Sequence, residues 1–179
     1  MIYIKLEDLK NLKVPKVMIK KILPPKKAVS TIDTSGDGKA NSIKISFLNL
    51  LMPFTIPSQE DLGDIDVDEI DPSEYGTILL NGEKIDISKG AANTELIKKS
   101  LQVHHKEESF TFYDALGGKM GGRTIAMGDE IIIVFKLEDA LLEKLTEGKH
   151  TIRIESEKFP NIEFGFELTD KNMNQSFNP

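Results

Sequence analysis

Cysteine is absent from this chain of 179 residues. That absence excludes disulfides, thiolate zinc sites, iron–sulfur clusters and a cysteine nucleophile. No stretch approaches the eighteen or more apolar residues that a membrane span needs. The opening Met1-Ile2-Tyr3-Ile4-Lys5-Leu6-Glu7 lacks the basic-then-apolar pattern of a signal peptide. A cytoplasmic protein is therefore expected, with the cell surface or extracellular space as the alternative for a processed chain. An excess of positive charge is missing too. The net charge of −6 argues against nucleic-acid binding, which needs a clustered cationic surface. Catalytic signatures are equally scarce: the serines include no GxSxG elbow, and the carboxylates of 60–74 lie in no apolar context that would raise a pKa for acid catalysis.

What is present is an ordinary globular composition, 39% hydrophobic and 29% charged. A chain of this length folds as one domain and buries roughly 70% of its unfolded surface without a covalent staple. The charge is unevenly spread. Residues 1–27 hold eight lysines against Glu7 and Asp8, whereas Glu60, Asp61, Asp64, Asp66, Asp68, Glu69, Asp71 and Glu74 follow one another with no basic residue between them. Such polarity reads first as solvated faces, and second as two patches that meet.

The patterning is mostly that of short strands. Leu6, Leu9 and Leu12 line one face of a short helix that Pro15 stops, and Val17–Leu23 then reads as an arm or first strand laid on the main body. Val29, Thr31 and Asp33 alternate into a glycine loop, and Ser42–Phe47 alternate out of it. Phe54–Ile56, between prolines, suits a sheet edge. Asn81-Gly82 is a strong hairpin signal between 77–80 and 83–87. The pattern predicts a helical turn over 92–101 capped by Asn93 or Thr94, strands at 110–113, 130–135, 151–154 and 162–166, and a short amphipathic helix over 139–145. The polar residues 171–179 read as a loose tail unless a partner orders them. About eight or nine short strands define the expectation: an all-β, antiparallel Ig-like or Greek-key β-sandwich with one or two short helices. Its divisions are a basic arm (1–27), the sandwich (28–170) and a polar tail (171–179).

The sharpest chemical feature is Asp33-Thr34-Ser35-Gly36-Asp37-Gly38-Lys39-Ala40-Asn41. Oxygen-bearing side chains stand at loop positions 1, 3, 5 and 9, glycine at 6, and the carbonyl of Lys39 at 7. A hard cation such as calcium takes six to eight oxygens, which a tightly curled loop supplies from alternate residues. The candidate ligands are therefore Asp33, Ser35, Asp37, Lys39 and Asn41. The segment resembles the first half of an EF-hand loop, with Lys44 where that loop ends in glutamate. It resembles more closely the strand-connecting variant in calcium-binding Ig-like modules of microbial surface proteins. That resemblance, covering Ile32 to Phe47, implies a structural Ca2+ site of millimolar to submillimolar affinity. Asp64, Asp66 or Asp68 would complete it if folding brought one of them near.

Other groups read more plainly. His104 and His105 point to opposite faces of a strand and cannot chelate one ion, so a surface placement is expected. Gly117–Arg123 is glycine-rich and basic but lacks the GxxxxGK[ST] order, and reads as a loop between strands. A longer stretch, from Asn81 to Glu155, is similar to the small β-subunits of C-glycoside deglycosidases. The similarity is carried by Asn81-Gly82-Glu83-Lys84-Ile85, Phe110–Leu116, Gly128-Asp129, and Leu145–Ile152 with its Gly148-Lys149-His150-Thr151-Ile152. It implies an accessory small subunit that docks on a larger, metal-dependent catalytic subunit. The residues themselves favour a non-catalytic binding or assembly module, acting through a protein partner or as a homo-oligomer.

Overall fold

A computed structural model describes residues 15–50, 52–56, 58, 60, 66–116, 118–157 and 161–177. The helix expected around Leu6, Leu9 and Leu12 lies outside these residues. The chain forms twelve described strands in three sheets, all paired antiparallel except one. The largest sheet holds β1 (Val29–Asp33), β2 (Ser42–Leu48), β6 (Gln102–His105), β7 (Glu108–Thr111), β9 (Glu130–Lys136) and β12 (Gln175–Ser176), in the order β12-β1-β2-β9-β6-β7. The second holds β4 (Thr77–Leu80), β5 (Glu83–Ile85), β10 (Gly148–Glu155) and β11 (Ile162–Leu168), in the order β11-β10-β4-β5. β3 (Phe54–Thr55) and β8 (Thr124–Ile125) form a two-residue ribbon at the rim.

Register explains why the apolar set gathers. Ile43 lies opposite Phe135, Ile45 opposite Ile133 and Phe47 opposite Ile131, so one face of the large sheet is apolar. Across from it stand Leu80, Ile85, Phe164, Phe166 and Leu168 of the second sheet, in one buried cluster with Val29 and Ile43. The fold is thus all-β and sandwich-like, with its core between two sheets. The β4–β5 hairpin turns at Asn81 (φ 53°) and Gly82 (φ 85°), the positive-φ pair that the Asn-Gly signal requires.

Four short α-helices are described: α1 (Lys16–Ile22), α2 (Ala92–Ser100), α3 (Phe112–Leu116) and α4 (Asp139–Leu142). Three of them correct the sequence reading. Val17–Ile22 is helical, not a strand. Ile19 and Leu23, one turn apart, both reach the core, and that contact overrides the β-branched run. α2 starts from Ala91 without a side-chain cap, because Asn93 is engaged elsewhere: its amide donates to Glu138 Oε2 (2.6 Å) and its Oδ1 accepts the Glu138 N–H (3.2 Å). The strand expected at 110–113 ends at Thr111. Thr111 Oγ1 accepts the Asp114 N–H (3.2 Å) and Asp114 Oδ2 accepts the Thr111 N–H (3.3 Å), a reciprocal cap that starts α3. No helix among the described residues is long and apolar enough to cross a membrane.

The C-terminal segment is docked without a partner chain. β12 runs parallel to β1, Asn172 is 6% exposed, and its amide donates to three main-chain carbonyls: Glu167 (2.9 Å), Val29 (3.3 Å) and Lys26 (3.4 Å).

Candidate functional site: the Asp33–Asn41 loop

β1 delivers Asp33 to the top of the large sheet, where it is 7% exposed, and the chain then curls through Gly36 (φ 80°) and Gly38 (φ 83°) before β2 begins. Both glycines occupy left-handed backbone that other residues adopt at a cost. The curl aims successive donors at one carboxylate. Asp33 Oδ1 accepts the Gly36 N–H (2.7 Å), the Ser35 N–H (2.8 Å) and the Ser35 hydroxyl (2.9 Å), and Oδ2 accepts the Gly38 N–H (2.6 Å). The Gly38 amide above all, then the Ser35 hydroxyl and the Gly36 and Ser35 amides, hold the Asp33 carboxyl at about 2, against the opposing push of burial.

Asn41 closes the loop from the other side. Its amide donates to Ser35 Oγ (2.9 Å), while its Oδ1 accepts from Thr34 Oγ1 (2.8 Å), Ser42 Oγ (2.8 Å) and Thr34 N (3.2 Å). Asp33, Ser35 and Asn41 therefore form one hydrogen-bonded cluster. Asp37 stands apart and exposed, with Oδ1 accepting the Lys39 N–H (2.9 Å). Lys39 is exposed as well.

Oxygen accounting bears on a cation. Asn41 Oδ1 already accepts three bonds, and Ser35 Oγ both donates and accepts. Asp33 Oδ2 and the Asp37 carboxylate retain acceptor capacity. The donors are all hard oxygens, which suits calcium or magnesium chemically. A cation at the loop centre would draw Asn41 and Ser35 away from their present partners. Among the described residues no group of three or more Asp, Glu, His or Cys is gathered as a metal cage.

Beside the loop is a cleft of about 580 Å3, whose walls include Asp37, Asn41, Asp139, Glu143 and Asn174. The acids facing Asp37 across it come from α4 and the residue after it, about a hundred positions downstream, and no sequence signal connects them. Asp66 and Asp68 lie elsewhere: the Tyr113 hydroxyl donates to Asp68 Oδ1 (3.2 Å), and Asp66 acts on Lys89. Asp64 is outside the described residues.

The remaining candidates hold the fold together. His105 is buried, not on the surface, because Asp129 accepts from its Nε2 (2.9 Å), from Lys106 Nζ (3.2 Å) and from the Ala126 N–H (2.9 Å). The His105 ring first, then the Ala126 amide and the Lys106 ammonium, hold the Asp129 carboxyl at about 2. His104 faces the other side of β6, edge-on to Phe177 with centroids 5.4 Å apart, and burial pushes its pKa down. Arg123 of the glycine-rich loop is committed to Glu108 (2.7 and 2.8 Å) and stacks over Phe110 at 4.4 Å. The shifts resolved on Asp33, Asp71, Asp86, Glu108, Asp114 and Asp129 all run downward, which keeps these groups ionised as hydrogen-bond acceptors.

These depressed values fix a pH dependence. A carboxyl held at about 2 in the folded chain but near 3.8 when unfolded adds stability that is complete above about pH 4 and is lost as pH falls toward 2. Melting temperature should therefore fall through that window, and the double variant Asp33→Asn/Asp129→Asn should show a visibly shallower fall. Parallel curves for the two proteins would contradict the account. No protein-family model and no curated protein matches this chain.

Proposed function

We propose that the chain is a non-catalytic binding or assembly module, and that its 33–41 loop is a structural clamp that tightens on calcium. The carrying observation is Asp33, a buried carboxylate at a strand end that gathers four loop donors and so pins the β1–β2 connection. Calcium would add to an existing clamp by engaging Asp37, whose carboxylate is exposed and lightly bonded. At a hundredfold its dissociation constant, such a ligand stabilises the fold by about 2.7 kcal/mol, on the order of 5–10 °C in melting temperature for a chain of this size. The test is thermal melting in millimolar calcium and in chelator, for the wild type and Asp37→Ala. The rise is expected in the wild type and lost in the variant. Identical wild-type curves would remove calcium from the reading.

A second reading is an accessory small subunit of a C-glycoside deglycosidase-like enzyme. It is supported by the meeting of two of the resembling segments. Asn81 of the hairpin turn lies 3.0 Å from His150 Nδ1, and its Oδ1 accepts the Thr151 N–H (3.0 Å). Stable co-purification with a larger catalytic chain would select this reading over the first.

A further inference from the structure

The uneven charge seen in the sequence becomes two separate surfaces in the fold. One is α1 and the turn after it, where Lys20, Lys21, Lys26 and Lys27 are exposed beside Val17, itself 65% exposed. Among these lysines only Lys26 has an acidic partner in the described structure, Glu167 at 3.8 Å. The other is a shoulder built from the single-turn 3-10 helices Val67–Glu69 and Pro72–Glu74. It carries Asp66, Asp68, Glu69, Asp71 and Glu74, with Lys89 as the neighbouring cation, paired to Glu69 at 2.8 Å. Tyr113 and Tyr75, 46% and 45% exposed, border the same shoulder.

The two surfaces lie toward opposite ends of β10. Ile19, Lys20, Leu23 and Pro25 share a groove with Lys149 and Thr151, whereas Tyr75 and Gly76 meet Glu155 and Ser156. Thr151 and Glu155 alone are separated by ~13 Å at ~3.3 Å per residue, more than the ~8 Å over which charges act in physiological salt. Among the described residues no ion pair joins the two surfaces.

We propose that the lysine face of α1 docks on the acidic shoulder of a second copy of this chain. This rests on the assembly-module reading and names its partner. Charge sign and chemistry both match: lysines and an exposed valine on one side, carboxylates bordered by two half-exposed tyrosines on the other. In the proposed contact each patch is used once, head-to-tail, rather than reciprocally across a two-fold axis. Each joined pair keeps one free lysine face and one free shoulder, and association continues into a ring or an open chain.

Sedimentation velocity on the full chain tests this, across protein concentration, at low salt and at about tenfold higher salt. Two charge-reversed variants are compared, Lys20→Glu/Lys21→Glu and Asp66→Lys/Glu74→Lys, with far-UV circular dichroism to confirm that each folds. The wild type should form dimers and larger species that dissociate in high salt, and each variant alone should be monomeric. An equimolar mixture of the two variants restores opposite charge between the unmodified shoulder of one and the unmodified lysine face of the other, and should associate again. A wild type that is monomeric at low salt and the highest concentration would overturn the contact. So would oligomers that survive the lysine reversal, or a mixture that remains monomeric. The module reading would outlast that failure if a different protein were identified as partner, and the melting experiment judges its calcium clamp separately.

Discussion

Asn172→Asp is expected to destabilise the protein by about 3–5 kcal/mol at neutral pH, lowering the melting temperature by roughly 10 °C. The wild-type amide faces three carbonyl oxygens, at 2.9 Å from Glu167, 3.3 Å from Val29 and 3.4 Å from Lys26. Its Oδ1 accepts the Thr169 N–H at 2.6 Å, so the orientation of the side chain is fixed. An aspartate would keep that last bond and turn an ionised oxygen toward three acceptors, with no donor among them. Its folded-state pKa would rise, so the defect should be largest above that raised pKa and shrink as pH falls from it toward the ordinary aspartate range, as the acid protonates and regains one donor. Asn172→Ala should cost less, about 2–3 kcal/mol, because it strands acceptors without adding charge. The consequences should reach the candidate site. The Phe177 N–H donates to the Asp33 carbonyl (3.3 Å) and Asn174 Oδ1 accepts the Ala40 N–H (3.3 Å), so the C-terminal segment braces the loop from behind. Amide exchange at Phe177 and Ala40 should accelerate in either variant. Unchanged exchange and an unchanged melting temperature would mean that Asn172 does not hold this segment.

That bracing was illegible in the sequence for a physical reason. Residues 171–177 contain only Met173 and Phe177 as large apolar groups, and polar composition reads as solvent exposure. What docks the segment is an asparagine meeting main-chain carbonyls contributed by residues 26, 29 and 167, a match that no spacing rule encodes. The same holds for His105, whose burial depends on Asp129 being 24 positions away along the chain yet 2.9 Å away in space. Local signals fared better. The Asn81-Gly82 turn, the alternation through β2, and the β-branched and aromatic runs of β9 and β11 are properties of a few consecutive residues, and the structure realises each. One local signal is masked by its neighbours: Thr111-Phe112-Tyr113-Asp114 has the spacing of a reciprocal helix cap, hidden by aromatic residues that favour a strand. In the loop, glycine and oxygen spacing identified the curl, and Asp33, Ser35 and Asn41 do converge. Their bonds to one another, and the acids of α4 across the cleft, required the fold.

Phe166→Ala should be the most damaging apolar truncation, costing about 3–5 kcal/mol and roughly 10 °C or more in melting temperature. Phe166 is 2% exposed and belongs to the cluster that joins the two sheets. Its ring stacks on His150 with centroids 5.3 Å apart and an interplanar angle of 22°, and lies 6.5 Å from Phe164. His150 is held independently: its Nε2 is 2.7 Å from the Thr146 carbonyl and its Nδ1 is 3.0 Å from the Asn81 amide. The imidazole therefore cannot collapse into the space left by the phenyl ring without breaking one of those bonds, so the cavity persists and its full cost is felt. Phe166→Leu keeps most of the volume and should cost less than about 1.5 kcal/mol. Phe54→Ala, on the exposed rim ribbon, should change stability by no more than about 0.5 kcal/mol. The ordering of the three variants matters more than any single value. A core that lies between the sheets requires Phe166→Ala to be worst by a wide margin, and comparable losses at Phe166 and Phe54 would place the stabilising contacts elsewhere. Because Phe166 packs inward beside Gly165, on the strand whose Glu167 N–H donates to the Pro25 carbonyl (2.8 Å) in the turn after α1, the same truncation should also loosen that turn and weaken the head-to-tail association of the chain.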